Sequence, residues 1–383
     1  MTTPILLVCT QARWQGTARI PRSLARAGFE VALLAPRTSL AEKSRFVAKV
    51  GHLPDGADAR QWLHAFAAMV KAVNPRLALP CDDMAFQLMQ RLVLSPPVDL
   101  QPSLHLELAS LVRNSLGDPR FYATSVDKTL LPAAAEALGV RVAPYAIVAD
   151  ADAALAFAGT HGYPIVLKRS LGFSGSGVAI IANSAEVPQA IADLTQVQVL
   201  DLGRAPAPRL LAQAFVAGHV IGRSSAAWNG RELCGVTREK VMRDPPDTGP
   251  ATVMRYYHDP EARAFSEALI AGLGITGIVG IEYAVSARTG ERSLLEINRR
   301  VTPGTHTGEL VGIDLAAALH AAVTGAPSAI PQDVAPGFER IVARFPQEWL
   351  RDPASPYLRD YPVDAPWDDP ELFEAMLAMR DDT

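Results

Sequence analysis

Three short apolar runs at the start of the chain, Ile5–Cys9, Val31–Ala35 and Leu77–Pro80, constrain the fold most. Each has the length of a buried strand, and the last two are closed by Pro36 and Pro80. The segments between them have helical spacing: Ile20–Ala27, ended by Gly28, and a longer amphipathic stretch over Ala59–Val73. Strand–helix–strand alternation implies a parallel α/β sheet. The first turn, Thr10–Gly16, has no G-x-G-x-x-G, so a dinucleotide-binding unit is not expected. Ligands of open α/β sheets sit beyond the carboxyl ends of the strands, which makes Thr10–Gly16 and Cys81-Asp82-Asp83 a candidate substrate rim. An Asp after a strand is equally a helix cap.

At 383 residues the chain has room for roughly two or three domains. A net charge of −4 argues against a general nucleic-acid binder. Cys9, Cys81 and Cys234 show no C-x-x-C and no metal-ligand spacing, so a reduced, cytoplasmic setting is expected. Ile5–Cys9 is too short for a signal-peptide core, and no segment is long and apolar enough to span a membrane.

Further along, Ser125–Leu138 is expected to be a helix, as are Asp150–His161, Glu186–Leu194 and Asp314–Thr324. Tyr145–Val148, Ile165–Lys168 and Val178–Ile181 read as strands. Residues 95–125 look like a connection around one helix, and the polar stretch 201–208 like a boundary. Leu210–Val216, Arg231–Thr237, Val279–Val285 and Ser293–Ile297 alternate like antiparallel strands. The Pro-containing tail from Ala326 is expected to wrap the surface, over either the active-site rim or a dimer face.

The chemistry concentrates in Leu294-Leu-Glu-Ile-Asn-Arg-Arg300. Residues two apart on a strand face the same way, so Glu296 and Asn298 present two oxygen ligands with arginines just beyond. Mg²⁺ binds such oxygens together with substrate phosphates, and an arginine fork suits a phosphate. Glu282, on the preceding strand, would lie opposite Glu296 across a turn near Arg288-Thr-Gly290. Clustered carboxylates repel unless a cation separates them. The phosphate-binding half is sought in Lys168 and the loop Gly172–Gly177, whose glycines let backbone N–H groups approach an anion. On composition alone that loop is equally a flexible hairpin turn. It is not a Walker loop, since no Gly-Lys-Ser/Thr follows.

Taken together, Asp127-Lys128, Tyr163–Lys168, the Gly172–Gly177 loop, Gln213-Ala-Phe-Val216, Glu282 and Glu296–Arg300 resemble the ATP-grasp superfamily, in the style of the carbamoyl-phosphate synthase large chain. The resemblance covers about residues 120–325. It implies an N-terminal parallel α/β (pre-ATP-grasp) domain over 1–118 and a two-lobed α+β module. The lobes would be a central one with the phosphate flap (119–205) and a C-terminal one with the metal site (206–330), followed by an extension (331–383). It further implies that Lys128, Lys168, Ser174, Gly175, Ser176 and Gly177 bind ATP phosphates, and that Gln213, Phe215 and Val216 line the adenine pocket. Glu282, Glu296 and Asn298 would hold Mg²⁺ or Mn²⁺, with Arg300 and Lys240 as catalytic cations. Such a site phosphorylates a small-molecule carboxylate with ATP and joins the acyl phosphate to an amine or thiol. A homodimer would fit, with no nucleic-acid or membrane partner. The competing readings are a bicarbonate-phosphorylating enzyme and a non-catalytic ATP sensor. Three positions depart from the pattern: Arg299 stands where Pro is usual, Gly218-His219 where a ribose-contacting Glu is common, and Phe173-Ser174 where further glycines occur. His306 is either an exposed loop residue or one that touches substrate or carries a proton.

Overall fold

The computed structural model describes residues 2–12, 15–54, 56–97, 100–171, 177–196, 209–246 and 249–379. Gly172 to Ser176 of the flap, and the 201–208 stretch, lie outside these residues. The chain divides into two compact units. One comprises Met1–Pro119, Ile221–Gly280 and Asn298–Thr383; the other comprises Arg120–Val220 and Ile281–Ile297.

The first unit begins with β1 (Thr3–Val8), α1 (Gln15–Arg26), β2 (Phe29–Pro36), β3 (Val47–Leu53), α2 (Ala59–Val73) and β4 (Leu77–Pro80). The four strands form the expected parallel sheet in the order β3-β2-β1-β4. Ile5 to Val8 and Leu77 to Leu79 are fully or almost fully buried, which is why these strands read as unbroken apolar runs. The edge strand β3 is mostly exposed or half-buried, so Val47–Leu53 carries no apolar run and gives no such signal. Helix α2 starts on a reciprocal capping box between Asp58 and Gln61, and has the expected bounds. Beyond β4 follow α3 (Asp83–Leu94) and α4 (Pro102–Leu116). Asp82 caps α3 through Ala85 N at 2.8 Å and also accepts from Thr10 N at 2.6 Å and Thr10 Oγ1 at 2.8 Å. The two halves of the candidate rim are therefore one hydrogen-bonded structure, and Asp82 serves as cap and loop anchor together.

In the second unit the helix expected from Ser125 begins later, as α5 (Leu131–Ala137). Asp127 Oδ1 accepts from Thr129 N (2.7 Å) and Thr129 Oγ1 (2.6 Å), a local turn that competes with helix, and Pro132 lies in the first turn. Next come β5 (Tyr145–Val148), α6 (Ala151–His161), β6 (Ile165–Arg169), β7 (Val178–Ile181), α7 (Val187–Gln196) and β8 (Leu210–Ala214). The strands make an antiparallel sheet ordered β5-β8-β6-β7. Strand β8 thus pairs with strands that precede residues 201–208. One sheet face packs with α6 and α7 through Val148, Ile165, Leu167, Ile181, Leu210 and Ala212.

The chain continues through β9 (Gly218–Trp228), β10 (Arg231–Arg243), β11 (Ala251–Tyr257), α8 (Pro260–Gly272), β12 (Gly277–Ser286), β13 (Arg292–Asn298), α9 (Leu315–Thr324) and β14 (Glu339–Ala343). Strands β9, β10, β11 and β14 are successive antiparallel neighbours. The strand expected over Arg231–Thr237 runs on to Arg243 and sets Lys240 opposite Met254. Strands β12 and β13 are hydrogen-bonded neighbours. Their connection, residues 287–291, is too short for a parallel crossover, so they form a hairpin.

The tail corrects the expectation of a surface wrap. Beyond β14, which pairs with β11, lie α10 (Gln347–Arg351), α11 (Pro356–Asp360) and α12 (Pro370–Leu377). Phe345, Leu372 and Met376 form a separate apolar cluster with Ala18 of α1. Isolated apolar residues among prolines hide such a core, because no periodic face announces it.

Candidate active site

One face of the second unit's sheet packs with α6 and α7, and strand register decides what the other face carries. Residues paired across neighbouring strands share a face. One row runs Ile147, Leu211, Lys168, Val178, and the next runs Tyr145, Gln213, Val166, Ile180. Ile147 and Ile180 are 46% and 60% exposed, unusual for isoleucine on a strand. A buried lysine and a buried glutamine therefore stand between apolar neighbours on a face exposed at Ile147 and Ile180, an arrangement suited to a planar base with an anionic tail. A small recess beside this face reaches Lys128, Pro132, Leu211, Gln213, Leu294 and Leu295. Phe215 is exposed and Val216 half-buried on the segment after β8. The apolar partners Ile147, Leu211 and Ile180 are the part of this surface that motif reading missed; strand alternation is the signal that could have found them.

Lys168 is almost completely buried, and its Nζ donates to Gln213 Oε1 at 2.8 Å and to the Leu295 carbonyl at 3.5 Å. Because lysine only donates, the Gln213 oxygen must face it, and the amide's NH₂ is the end Gln213 can offer a ligand. Burial pushes the Lys168 ammonium down to about 8, while Glu296 and Glu282 pull it upward and Lys128 opposes them. Lys128 Nζ lies 3.5 Å from Glu296 Oε2. The cation expected between carboxylates is thus supplied to Glu296 in part by Lys128. Among the described residues no three His, Cys, Asp or Glu side chains converge as a metal cage. Glu282 and Glu296, both in the second unit, are oxygen donors of the kind Mg²⁺ takes alongside waters and phosphate oxygens.

Gly218 departs from the expected ribose contact for a backbone reason. Its φ is +154°, and a Cβ there would come within 1.9 Å of the Val285 carbonyl. Only glycine allows the approach that also brings Ala287 N to Ala217 O at 2.8 Å. Gly177, the one described residue of the flap candidates, accepts from Arg169 N at 2.8 Å at the base of the loop.

In the first unit Asn298, Arg299 and Arg300 are all buried. Arg300 Nη2 donates to Asn298 Oδ1 at 2.9 Å, and Arg300 Nε lies 2.8 Å from Asp83 Oδ2. A carbonyl oxygen has two lone pairs, so Asn298 can still accept a cation. Arg299 is buried rather than a surface residue: it donates to the Leu116 carbonyl, and its guanidinium lies 5.2 Å from the centre of the Phe86 ring. Lys240 is exposed on β10. Two positions earlier, Arg238 donates to Ser224 Oγ at 2.6 Å and lies against Gly304. His306 is buried, not exposed, with Nε2 2.9 Å from Asp364 Oδ2. Burial and the neighbouring Arg19 push its imidazole down to about 4. A ring so disposed favours its neutral form near pH 7.

Comparison with known proteins adds the following. Residues 127–205 match the family described as carbamoyl-phosphate synthase L chain, ATP binding domain. The carbamoyl phosphate synthase large chain of Caldanaerobacter subterraneus subsp. tengcongensis is 24% identical over 202 residues, 47% of this chain. That of Thermus thermophilus is 26% identical over 200 residues, 46% of this chain. Each match spans only 17% of the relative's length. Among solved structures, the biotin carboxylase–ATP complex from Campylobacter jejuni aligns with a TM-score of 0.67 at 15% identity, covering 89% of this chain and 75% of that one. N5-carboxyaminoimidazole synthetase from Staphylococcus aureus, complexed with ADP, aligns with a TM-score of 0.63 at 14% identity, covering 89% and 82%.

Proposed function

Because this chain is an ATP-grasp protein, by its fold and by the match of residues 127–205, we propose that it is an ATP-dependent ligase that phosphorylates a small-molecule carboxylate and transfers the acyl group to an amine, releasing ADP and phosphate. The observation that carries this reading is the buried Lys168, hydrogen-bonded to Gln213 on the sheet face opposite α6 and α7, with Lys128 and Glu296 paired in the same unit. The face takes the adenine, and Lys168, Lys128 and the loop through Ser174, Gly175, Ser176 and Gly177 take the phosphates. Glu282, Glu296 and Asn298 are the candidate ligands for Mg²⁺, which when bound neutralises charge on the transferring phosphate. Arg300 and Lys240 meet the charge that develops on the phosphoryl group and acyl phosphate. No protein nucleophile is needed. Functionally, residues 119–205 would act as the flap-bearing lobe and 206–330 as the metal-bearing lobe.

A second reading takes bicarbonate as the acid. It is favoured by the matched relatives, named as carbamoyl phosphate synthase and biotin carboxylase. One screen separates the two: phosphate release from ATP and Mg²⁺ across a panel of acids crossed with amines, with bicarbonate as one arm. The ligase reading expects ADP formation that needs both an organic acid and an amine and is lost in Glu296→Ala. Release driven by bicarbonate alone establishes the second reading, and AMP with pyrophosphate contradicts both.

A further inference from the structure

The segment following β13 is gripped by the N-terminal parallel sheet and its helices. Arg299 donates to Leu116 O at the end of α4, and Val301 N donates to Pro80 O, the last residue of β4, at 3.0 Å. Between these anchors the Arg300 side chain, 8% exposed, meets Asp83 at 2.8 Å through Nε. Asp83 is the first residue of α3, a helix already fixed by the Asp82 cap, so its carboxylate projects from a rigid element. A long guanidinium side chain loses much rotamer freedom when it docks on a ligand. An ion pair with the Asp83 carboxylate on the Nε side, and a hydrogen bond from Nη2 to Asn298 Oδ1, restrict that freedom before the ligand arrives. Donors aimed in advance at developing charge need no reorganisation during reaction.

We propose that Asp83 is a positioning residue for Arg300, holding its guanidinium in the orientation that meets the transferring phosphoryl group. This rests on the ligase reading above. In this role Asp83, although it stands in the candidate rim, acts through Arg300. A merely structural strut would instead lower the stability of the segment without selecting for the transition state.

The test is calorimetric binding of MgADP alone and of MgADP with aluminium fluoride, a mimic of the phosphoryl group in flight, to the full chain and its variants. In Asp83→Ala, MgADP affinity stays within about twofold of wild type while the gain from fluoride shrinks about tenfold or more. Asp83→Asn, which keeps an acceptor oxygen, restores most of that gain. In an Arg300→Ala background, Asp83→Ala has no further effect. The positioning role is overturned if MgADP binds and Asp83→Ala keeps the whole fluoride gain, if fluoride adds nothing in wild type, or if the loss persists without Arg300. A chain that binds no MgADP overturns the ligase reading itself and this role with it.

Discussion

Lys168 holds its charge in a place where burial works against it. The ammonium is kept by Glu296, Glu282 and the Gln213 oxygen, yet its affinity for the proton is still drawn down to about 8. Two consequences follow at the residue scale. Replacing it, as Lys168→Met, should weaken ATP binding by about 10- to 100-fold, the worth of a charged hydrogen bond, as read by calorimetry. Under the ligase reading, wild-type ATP affinity should also fall as pH rises through about 8, as the Lys168 charge is lost, and this dependence should vanish in Lys168→Met. The stability term has the opposite sign. The folded-state value lies below that of the unfolded chain, so above about 8 the unfolded chain holds more protons and this group's contribution grows with pH. For His306, folded near 4 against an ordinary value of 6.5, stability is lost as pH falls between those values, because the unfolded chain takes the proton first. Thermal melts across that window in wild type and His306→Gln test it: the acid loss should be smaller in the variant. Lys128, Lys168, Glu282 and Glu296 can be singled out in the sequence because, under the ligase reading, binding a metal nucleotide restricts the choice of side chain. The surroundings of Arg299 and His306 are not, because their partners lie 183 and 58 positions away.

At the scale of elements, the loop after β1 and the start of α3 are one unit through Asp82. Three hydrogen bonds to one buried carboxylate make Asp82→Ala costly, by roughly 2–4 kcal/mol on the usual worth of caps and charged hydrogen bonds. Chemical denaturation measures this, and a loss below about 0.5 kcal/mol would show the loop to be held elsewhere. Elements whose signal is local are legible in advance: α2 has its capping box, and β1, β2 and β4 their unbroken apolar runs. Strand β9 is hidden by its polar interior, Arg223-Ser224-Ser225, which is buried because Arg223 is paired with Glu232 at 2.9 Å and Asp333 at 2.8 Å. Binary patterning cannot see a buried polar network whose members come from separate segments.

At the scale of the whole molecule, the tail is part of the first unit's packing. Met376 is fully buried in the cluster with Ala18, Phe345 and Leu372, so Met376→Ala should cost roughly 2–4 kcal/mol in a denaturation experiment, where a surface wrap would lose almost nothing. Strands β1, β2 and β4 of the parallel sheet and β8, β10, β12 and β13 of the antiparallel ones are legible in the sequence, while β3, β9, β11 and β14 are not. How β8 sorts between neighbours is not, since pairing is decided by register across strands distant in sequence. The central claim is that ATP phosphorylates a carboxylate on this protein. It is tested most directly with the acid found by the phosphate screen, prepared with ¹⁸O in its carboxylate and turned over with ATP and the amine. The account predicts one ¹⁸O atom in each phosphate released, seen by ³¹P NMR. Unlabelled phosphate, or label in AMP, would contradict it.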